Sequence, residues 1–375
     1  MYLYLICGVI IAFYVFVLLL FRKRWSRLQQ VSVPADFFPK TSFSVVIPAR
    51  NEESVIAQCL TSVLAMNYPA SLYEVIVVDD FSEDKTPEIA KQNGVRLISL
   101  KDVLDQQINA YKKKAVETGI RSASGEYIVV TDADCIVPSE WLRTLAWVIE
   151  TEKPVMIASP VKMQSGASSL LSVFQSLDFL SLQGITAAAA GSGVMSLCNG
   201  ANLCYRKKSF EEVDGFSGID QLASGDDLLL MQKFAQAFPG RIKYCLSENV
   251  VVQTSPEKNL KAFLRQRIRW ASKAMVYREK KIIVTLSLVY LTNLLPFLLF
   301  FTLFFSALYG YLLLAFILMK TMAELYFLMP VASFFKQEKQ LRYFIFMQPL
   351  HIIYTVVAGL FGQAGSYTWK GRKVK

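Results

Sequence analysis

The sequence runs to 375 residues, 53% of them hydrophobic, with a mean hydropathy of +0.35 and a formal charge of +10. That is too apolar for an ordinary soluble protein and long enough for a domain plus membrane segments. The positive charge sits in three patches beside apolar runs, at Arg22–Arg27, Glu257–Lys281 and Lys370–Lys375. A nucleic-acid binder would need it on the folded domain, so that class is excluded.

Six scattered cysteines with no C-x-x-C read as reduced thiols. The single histidine, His351, lies in an apolar run and reads as structural. A Ser-His-Asp triad and a His-rich zinc site are thereby excluded, and acid–base chemistry falls to carboxylates.

Met1–Phe21 is almost wholly apolar and long enough to cross a bilayer. It lacks a basic leading segment and a small-residue cleavage site, so it reads as an uncleaved anchor (1–21). Arg22, Lys23, Arg24 and Arg27 follow directly and place the next domain in the cytoplasm, on the inner face of a cell membrane. Residues 22–40, with Pro34 and Pro39, read as a linker.

From Phe43 to about Met163 strands and helices alternate. Strands are predicted at 44–49, 74–80, 95–100, 126–134 and 155–161. Helices are predicted at Asn51–Met66 with Asn51 as cap, from about Asp84, at Asn109–Ala123 and at Ser139–Glu150. Apolar strands alternating with helices imply an α/β fold with a mostly parallel sheet covered on both faces, which binds ligands at its carboxyl strand ends. Asp79, Asp80, Asp132 and Asp134 fall at such ends.

The second half is less regular. Ser168–Gln183 reads as a helix, 185–195 as a small-residue mobile loop, Asp226–Phe238 as a helix and 244–254 as a strand. Leu260–Lys281 is a basic helix with an apolar stripe of Leu260, Phe263, Leu264, Ile268, Ala271 and Met275. Gln266, Arg269, Trp270 and Lys273 share a separate face at i, i+3, i+4 and i+7. Ile282–Phe305 and Tyr343–Gly362 read as spans, while 306–335 is interrupted by Lys320 and Glu324. If both ends of this region are cytoplasmic, as the basic tail argues, the crossings are even in number: two full spans plus an interfacial or re-entrant segment, or four; the sequence leaves the parity open.

The stretch YIVVTDADC (127–135) carries the sharpest chemistry. Side chains alternate along a strand, so Asp132 and Asp134 are expected on one side and Ala133 on the other. Two like charges at a buried strand end repel and resist desolvation. Mg²⁺ or Mn²⁺ removes that cost, with diphosphate oxygens completing its shell.

Six segments together resemble the inverting family 2 glycosyltransferases, in particular their membrane-bound branch of cellulose, chitin and hyaluronan synthases. They are SVVIPARNEE (44–53), VIVVDDFSEDKT (75–86), KKKAVETGI (112–120), TDADC (131–135), SGDDLLL (224–230) and QRIRW (266–270). The resemblance covers about residues 41–281 and, in outline, the flanking spans. It implies a GT-A, Rossmann-like nucleotide-sugar domain at 41–256, an amphipathic interface helix at 257–281, a transmembrane region at 282–365 and a basic tail at 366–375.

By the same resemblance Pro48, Ala49, Arg50, Glu52, Asp80, Lys112, Asp132 and Arg269 meet the nucleotide sugar. Asp134, with Asp132, holds Mg²⁺ or Mn²⁺. Asp227 takes the catalytic base position with Asp226 as its acidic neighbour, within a one-residue ambiguity, and Gln266 and Trp270 meet the acceptor. In the lysine helix Glu117 stands where the family has Asn.

The implied function is inverting transfer of a sugar from a nucleotide donor, UDP-linked in the first instance, to a lipid-linked or growing-glycan acceptor at the membrane. Processive polymerisation and single transfer both stay open, as does the donor sugar. The competing reading is a non-catalytic membrane scaffold subunit of a polysaccharide assembly. It is disfavoured because neither the aspartates nor Q-x-x-R-W is lost.

Overall fold

The computed structural model describes residues 2–103, 110–164, 169–221, 225–277, 279–304, 306–363, 367–369 and 372–374. The expected helix starts at Asn109 and Ser168 lie outside them, as do Ser224 of SGDDLLL, Phe305, and Lys370 and Lys375 of the basic tail. The chain divides into two compact units. One comprises Gln29–Gln164, Ala190–Ser255 and Ser366–Lys375, the other Met1–Leu28, Ser165–Ala189 and Pro256–Gly365. Ser165–Ala189, which the expected bounds place inside 41–256, clusters with the second, helical unit.

The first unit is built on a sheet of β1 (Phe43–Ala49), β2 (Tyr73–Asp79), β3 (Arg96–Ser99), β4 (Tyr127–Val130), β6 (Met156–Ala158), β8 (Leu203–Arg206) and β9 (Ile242–Tyr244). Their order is β3-β2-β1-β4-β8-β6-β9. The first four run parallel, with Val46 opposite Ile76 on one side and Val130 on the other. Only β8 runs against its neighbours. A small second sheet joins β5 (Cys135–Ile136), β10 (Val252–Thr254) and β7 (Val161–Met163), and β11 (Tyr367–Trp369) pairs with β12 (Arg372–Val374). The helices are α2 (Ile56–Leu64), α3 (Thr86–Gln92), α4 (Tyr111–Ser122), α5 (Trp141–Glu152), α7 (Lys207–Glu212) and α8 (Leu228–Ala237).

The apolar strand runs do what their composition requires. Val45, Val46, Ile47, Ile76, Val77, Val78, Ile128 and Val129 are fully buried. Each stabilises the sheet by about 1.5–3 kcal/mol relative to exposure. Gly119 lets α4 lie close on this surface, because a Cβ there would meet the Val46 side chain at 2.5 Å. Lys112 stands two turns earlier on the same face of α4, so this packing also sets where its ammonium goes.

Several boundaries differ from the sequence expectations. β4 ends at Val130, and Asp132–Asp134 form a turn closed by Cys135 N–H donating to the Asp132 carbonyl at 3.1 Å. The strand argument for two same-facing aspartates therefore does not apply, although both remain half-buried while Thr131, Ala133 and Cys135 are buried. Asn51 does not cap a helix: α2 starts five residues later. The predicted strands at 155–161 and 244–254 are each split in two.

The second unit comprises α1 (Tyr2–Trp25), most of α6 (Leu170–Gly191), α9 (Leu260–Ser272), α10 (Lys280–Thr302), α11 (Leu308–Phe334) and α12 (Phe344–Gly362). α6 absorbs much of the expected 185–195 loop, because Ala187–Ala190 are strong helix formers small enough to be buried. α1 buries Cys7, Ile11, Tyr14, Leu18, Phe21 and Trp25, a stripe spaced alternately by four and three residues. Its other faces expose Leu5, Val9, Phe13, Phe16 and Leu19.

Among the described residues, four helical segments, Tyr2–Trp25, Lys280–Thr302, Leu308–Phe334 and Glu338–Gly362, are long and apolar enough to cross a membrane. Three of them fall in the C-terminal region, at the two expected spans and the segment between them. Lys320 and Glu324 do not interrupt α11. The Lys320 ammonium lies 2.8 Å from Glu324 Oε1 and donates to Gln348 Oε1 at 2.8 Å, and Tyr14 O–H donates to Glu324 at 2.6 Å. A buried charge paired and hydrogen-bonded in this way is tolerated in an apolar helix.

Of the expected apolar stripe of α9, Phe263 is buried and Leu260 exposed, and the charged Arg267 is the other buried residue of the helix.

Candidate active site

The site in the sheet unit grows from the carboxyl ends of β1, β2 and β4. The chain leaves β1 at Ala49 and β2 at Asp79, and the two exits are tied together by hydrogen bonds. Asp80 N–H donates to the Ala49 carbonyl at 2.8 Å. Asn51 N–H donates to Ser82 Oγ at 3.0 Å, and Glu83 N–H donates back to Asn51 Oδ1 at 2.9 Å. Glu52 N–H donates to Thr86 Oγ1 at 2.8 Å. The Arg50 guanidinium donates to the carbonyls of Asp80 and Phe81 at 2.8 and 2.7 Å.

Asn51 and Phe81 hold left-handed backbone, at φ 50° and 54°. Asn adopts that region readily, whereas Phe does so at a cost. Such conformations persist where surrounding bonds over-determine them. Arg50, Glu52 and Asp80 thus belong to one laced pair of loops, and Pro48 and Ala49 end the strand that leads into it. Asp79 and Asp80 are both buried, and Asp79 accepts from Ser82 N–H at 3.3 Å.

The second component is an ionic cluster. Lys112 of α4 lies 2.7 Å from Asp132 Oδ1 and 3.3 Å from Asp226 Oδ2. Burial alone would lower the pKa of this ammonium. Asp132 and Asp226, with Asp227 behind them, outweigh burial and hold it above the usual lysine range. The neighbouring Lys113 is buried and donates to the Ile219 carbonyl at 2.6 Å, so of this pair it is Lys112 that faces the acids.

Asp227 is the N-cap of α8. Its Oδ1 accepts from Leu228 N–H at 2.8 Å and its Oδ2 from Gly200 N–H at 3.2 Å. A Cβ at Gly200 would sit 3.3 Å from Asp227 Cβ and 3.6 Å from Asp226 Oδ2, so this glycine shapes the space around both acids. A small pocket beside them is lined in part by Tyr205, Leu203 and Phe216.

Asp134 is reached by Thr254 Oγ1 at 3.4 Å and by Cys135 Sγ at 3.5 Å. The Cys59 thiol is pushed up to about 12 by burial and then by Asp134 and Asp132. Cys135 is raised for the same reasons. Both stay protonated at neutral pH and do not compete as thiolate metal ligands.

Among the described residues, no group of three His, Cys, Asp or Glu side chains forms a metal site on its own. Two half-buried carboxylates with a hydroxyl nearby still fit Mg²⁺ or Mn²⁺. These ions take one or two protein carboxylates and fill the remaining positions with water and phosphate oxygens.

Of the expected site residues, Lys112, Asp132 and Asp226 are brought into direct contact, with Asp227 adjacent. Gln266, Arg269 and Trp270 lie on α9 in the helical unit. There Gln266 Nε2 donates to Glu257 Oε1 at 2.9 Å, and the Trp270 ring lies 6.2 Å from that of Phe179. Sequence reasoning missed the Gly200 N–H, which only the folded loop presents. It also missed Thr254 and the buried Arg267.

The comparisons agree with this fold. A mannosyltransferase from Pyrobaculum calidifontis, solved with GDP-Man and Mn²⁺, superposes with a TM-score of 0.58 at 18% identity and covers 96% of each chain. Glycosyltransferase AglE of Haloferax volcanii is 40% identical over 101 residues, 27% of this chain and 33% of its own. A poly-beta-1,6-N-acetyl-D-glucosamine synthase of Staphylococcus epidermidis is 23% identical over 254 residues, 66% of this chain and 58% of its own. The chain therefore spans between a third and three-fifths of the length of these curated relatives. Residues 44–214 match the model of glycosyl transferase family 2, and the mostly parallel sheet is that of a GT-A fold.

Proposed function

We propose that the protein is a membrane-embedded, metal-dependent inverting glycosyltransferase. It moves a sugar from a nucleotide donor, UDP-linked in the first instance, to a lipid-linked or growing-glycan acceptor. The observation that carries this reading is the contact of Lys112 with Asp132 and Asp226 at the carboxyl end of a GT-A sheet.

Inverting transfer is a single displacement at the anomeric carbon. A carboxylate must take the acceptor hydroxyl proton, and cationic groups must meet the departing diphosphate. Asp227 is the proposed base. Its two backbone N–H bonds orient the carboxylate. Asp226 lies between Asp227 and Lys112 and carries the second negative charge of this edge.

Lys112 carries a proton firmly and meets the leaving phosphate as a fixed positive charge. Asp134 and Asp132 would hold Mg²⁺ or Mn²⁺, which would supply neutralising charge for the diphosphate. The strand end at Pro48 and Ala49 and the laced loops at Arg50, Glu52 and Asp80 hold the nucleotide. Gln266 and Trp270 take the acceptor sugar, and Arg269 meets the diphosphate. The four long apolar helices and the basic residues at Arg22–Arg27 support a multi-pass protein with its sheet unit in the cytoplasm.

The test is a donor screen on membranes holding the full-length protein, reading nucleotide release from UDP-, GDP- and dTDP-sugars with Mg²⁺ or Mn²⁺. Products are split into lipid-extractable and high-molecular-weight fractions. Release with one donor names the sugar, and the labelled fraction separates lipid glycosylation from polymer synthesis. Silence with every donor and with added lipid extract would favour a non-catalytic scaffold subunit.

A further inference from the structure

Arg267, the second residue of QRIRW, is the most deeply buried of the five, with a relative exposure of 4%. Its guanidinium is paired with Asp178 of α6, equally buried: Nε donates to Oδ2 at 2.8 Å, and Nη2 lies 2.7 Å from the same oxygen. The other Asp178 oxygen accepts from the Tyr354 hydroxyl and lies 3.9 Å from His351 Nε2, both on α12. Three helices thus converge on one carboxylate.

The same guanidinium touches both ends of the motif. Its carbon stands 4.2 Å from the centre of the Trp270 ring and 4.6 Å from that of Phe263. Nη1 donates to Gln266 Oε1, whose amide nitrogen in turn holds Glu257. Only a planar, multiply donating cation can stack on a ring, fork to a carboxylate and reach an amide at once.

A buried ion pair is a poor source of stability, because desolvation offsets its attraction and an apolar pair of similar size serves as well. What it supplies here is geometry. We propose that Arg267 and Asp178 are positioning residues for sugar transfer: the pair holds the Trp270 ring and the Gln266 amide in the arrangement that takes the acceptor, and touches neither donor nor acceptor itself. This rests on the reading of Gln266 and Trp270 as acceptor contacts.

The test uses the full-length protein in membranes and two variants. Arg267→Lys keeps the charge and loses the fork. The double variant Asp178→Leu/Arg267→Met removes both charges and leaves no orphan ion, so it is the one expected to stay folded. In both, the acceptor KM should rise about tenfold or more, as a small misplacement of a positioning group allows. The donor KM should stay within about twofold, because no donor contact is altered.

A readout independent of activity accompanies this. The protein has 5 tryptophans, and with fluorotryptophan labelling the Trp270 signal is the one that Trp270→Phe removes. The double variant should move that signal and leave the others in place. A folded double variant with wild-type acceptor KM and an unmoved Trp270 signal would overturn the proposal and leave the pair a purely structural element. Absence of transfer by the wild type with any donor would instead count against the enzymatic reading, and the Trp270 signal would still decide whether the pair positions the motif.

Discussion

Two clusters in this molecule use the same chemistry under opposite conditions. Lys112 with Asp132 and Asp226 sits where its side chains remain in part accessible, 22% for Lys112 and 34% for Asp132. Lys320 with Glu324, Gln348 and Tyr14 is sealed, with Lys320 at 0%. In the first, the acids outnumber the base and the side chains are in part open to solvent, so the cluster can exchange its contacts for those of a ligand. In the second, the contacts join α11 to α1 and α12 of the same unit, so the cluster fixes a packing arrangement and has nothing to exchange. Accessibility, more than the residue types, separates a reacting centre from a staple.

The largest expected effect is on the open side. Removing the divalent ion with EDTA, or replacing Asp134 with Ala, should reduce nucleotide release by about a thousandfold, the scale of a lost leaving-group stabiliser. Added Mn²⁺ or Mg²⁺ should restore the first preparation and not the second. Next, Lys112→Met should lower turnover by about a hundredfold, read as release at saturating donor. If Lys112→Met leaves turnover unchanged, the ammonium is a staple like Lys320 and the comparison fails.

On the sealed side the readout inverts. Lys320→Met orphans a buried carboxylate and should cost the helical unit about 3–5 kcal/mol, whereas Lys320→Met with Glu324→Gln should be near neutral. Thermal unfolding in detergent checks both, and nucleotide binding should persist in the double variant. The smallest effect is expected at Gly200→Ala. Its Cβ would press on Asp227 at 3.3 Å without striking backbone, so turnover should fall by about tenfold with the fold intact.

The sequence made the alternating half of the fold readable, because strands buried on both faces must be apolar throughout and the turns between them are short. β1 to β4 and α3 to α5 appear close to where the pattern put them. The aspartates of TDADC were readable from composition, yet the argument for them assumed strand geometry where the chain turns. Asn51 carried a capping residue's chemistry, and its side chain ties two loops together instead.

Less was readable where tertiary contacts override local pattern. The alanines of α6 looked like a loop because their helix depends on burial. On α9 a charged residue, Arg267, is buried beside Phe263 of the apolar stripe. Nothing local to Arg267 announces a partner 89 residues away. The one available signal was Asp178 itself, a lone acid in an apolar run. Lys320 and Glu324 are four residues apart and could pair along one helix face, a spacing that the count of charges alone conceals.

The most direct test of the account is Asp227→Asn, with nucleotide binding and nucleotide release measured on the same membrane preparation and Asp226→Asn run beside it. The substitution keeps the shape and the acceptor that caps α8, and it removes the proton-accepting charge. The account predicts nucleotide affinity within about threefold of wild type and release lower by about a hundredfold or more, the range for a lost general base. Wild-type turnover in Asp227→Asn would contradict it, and loss confined to Asp226→Asn would move the base to the neighbouring residue.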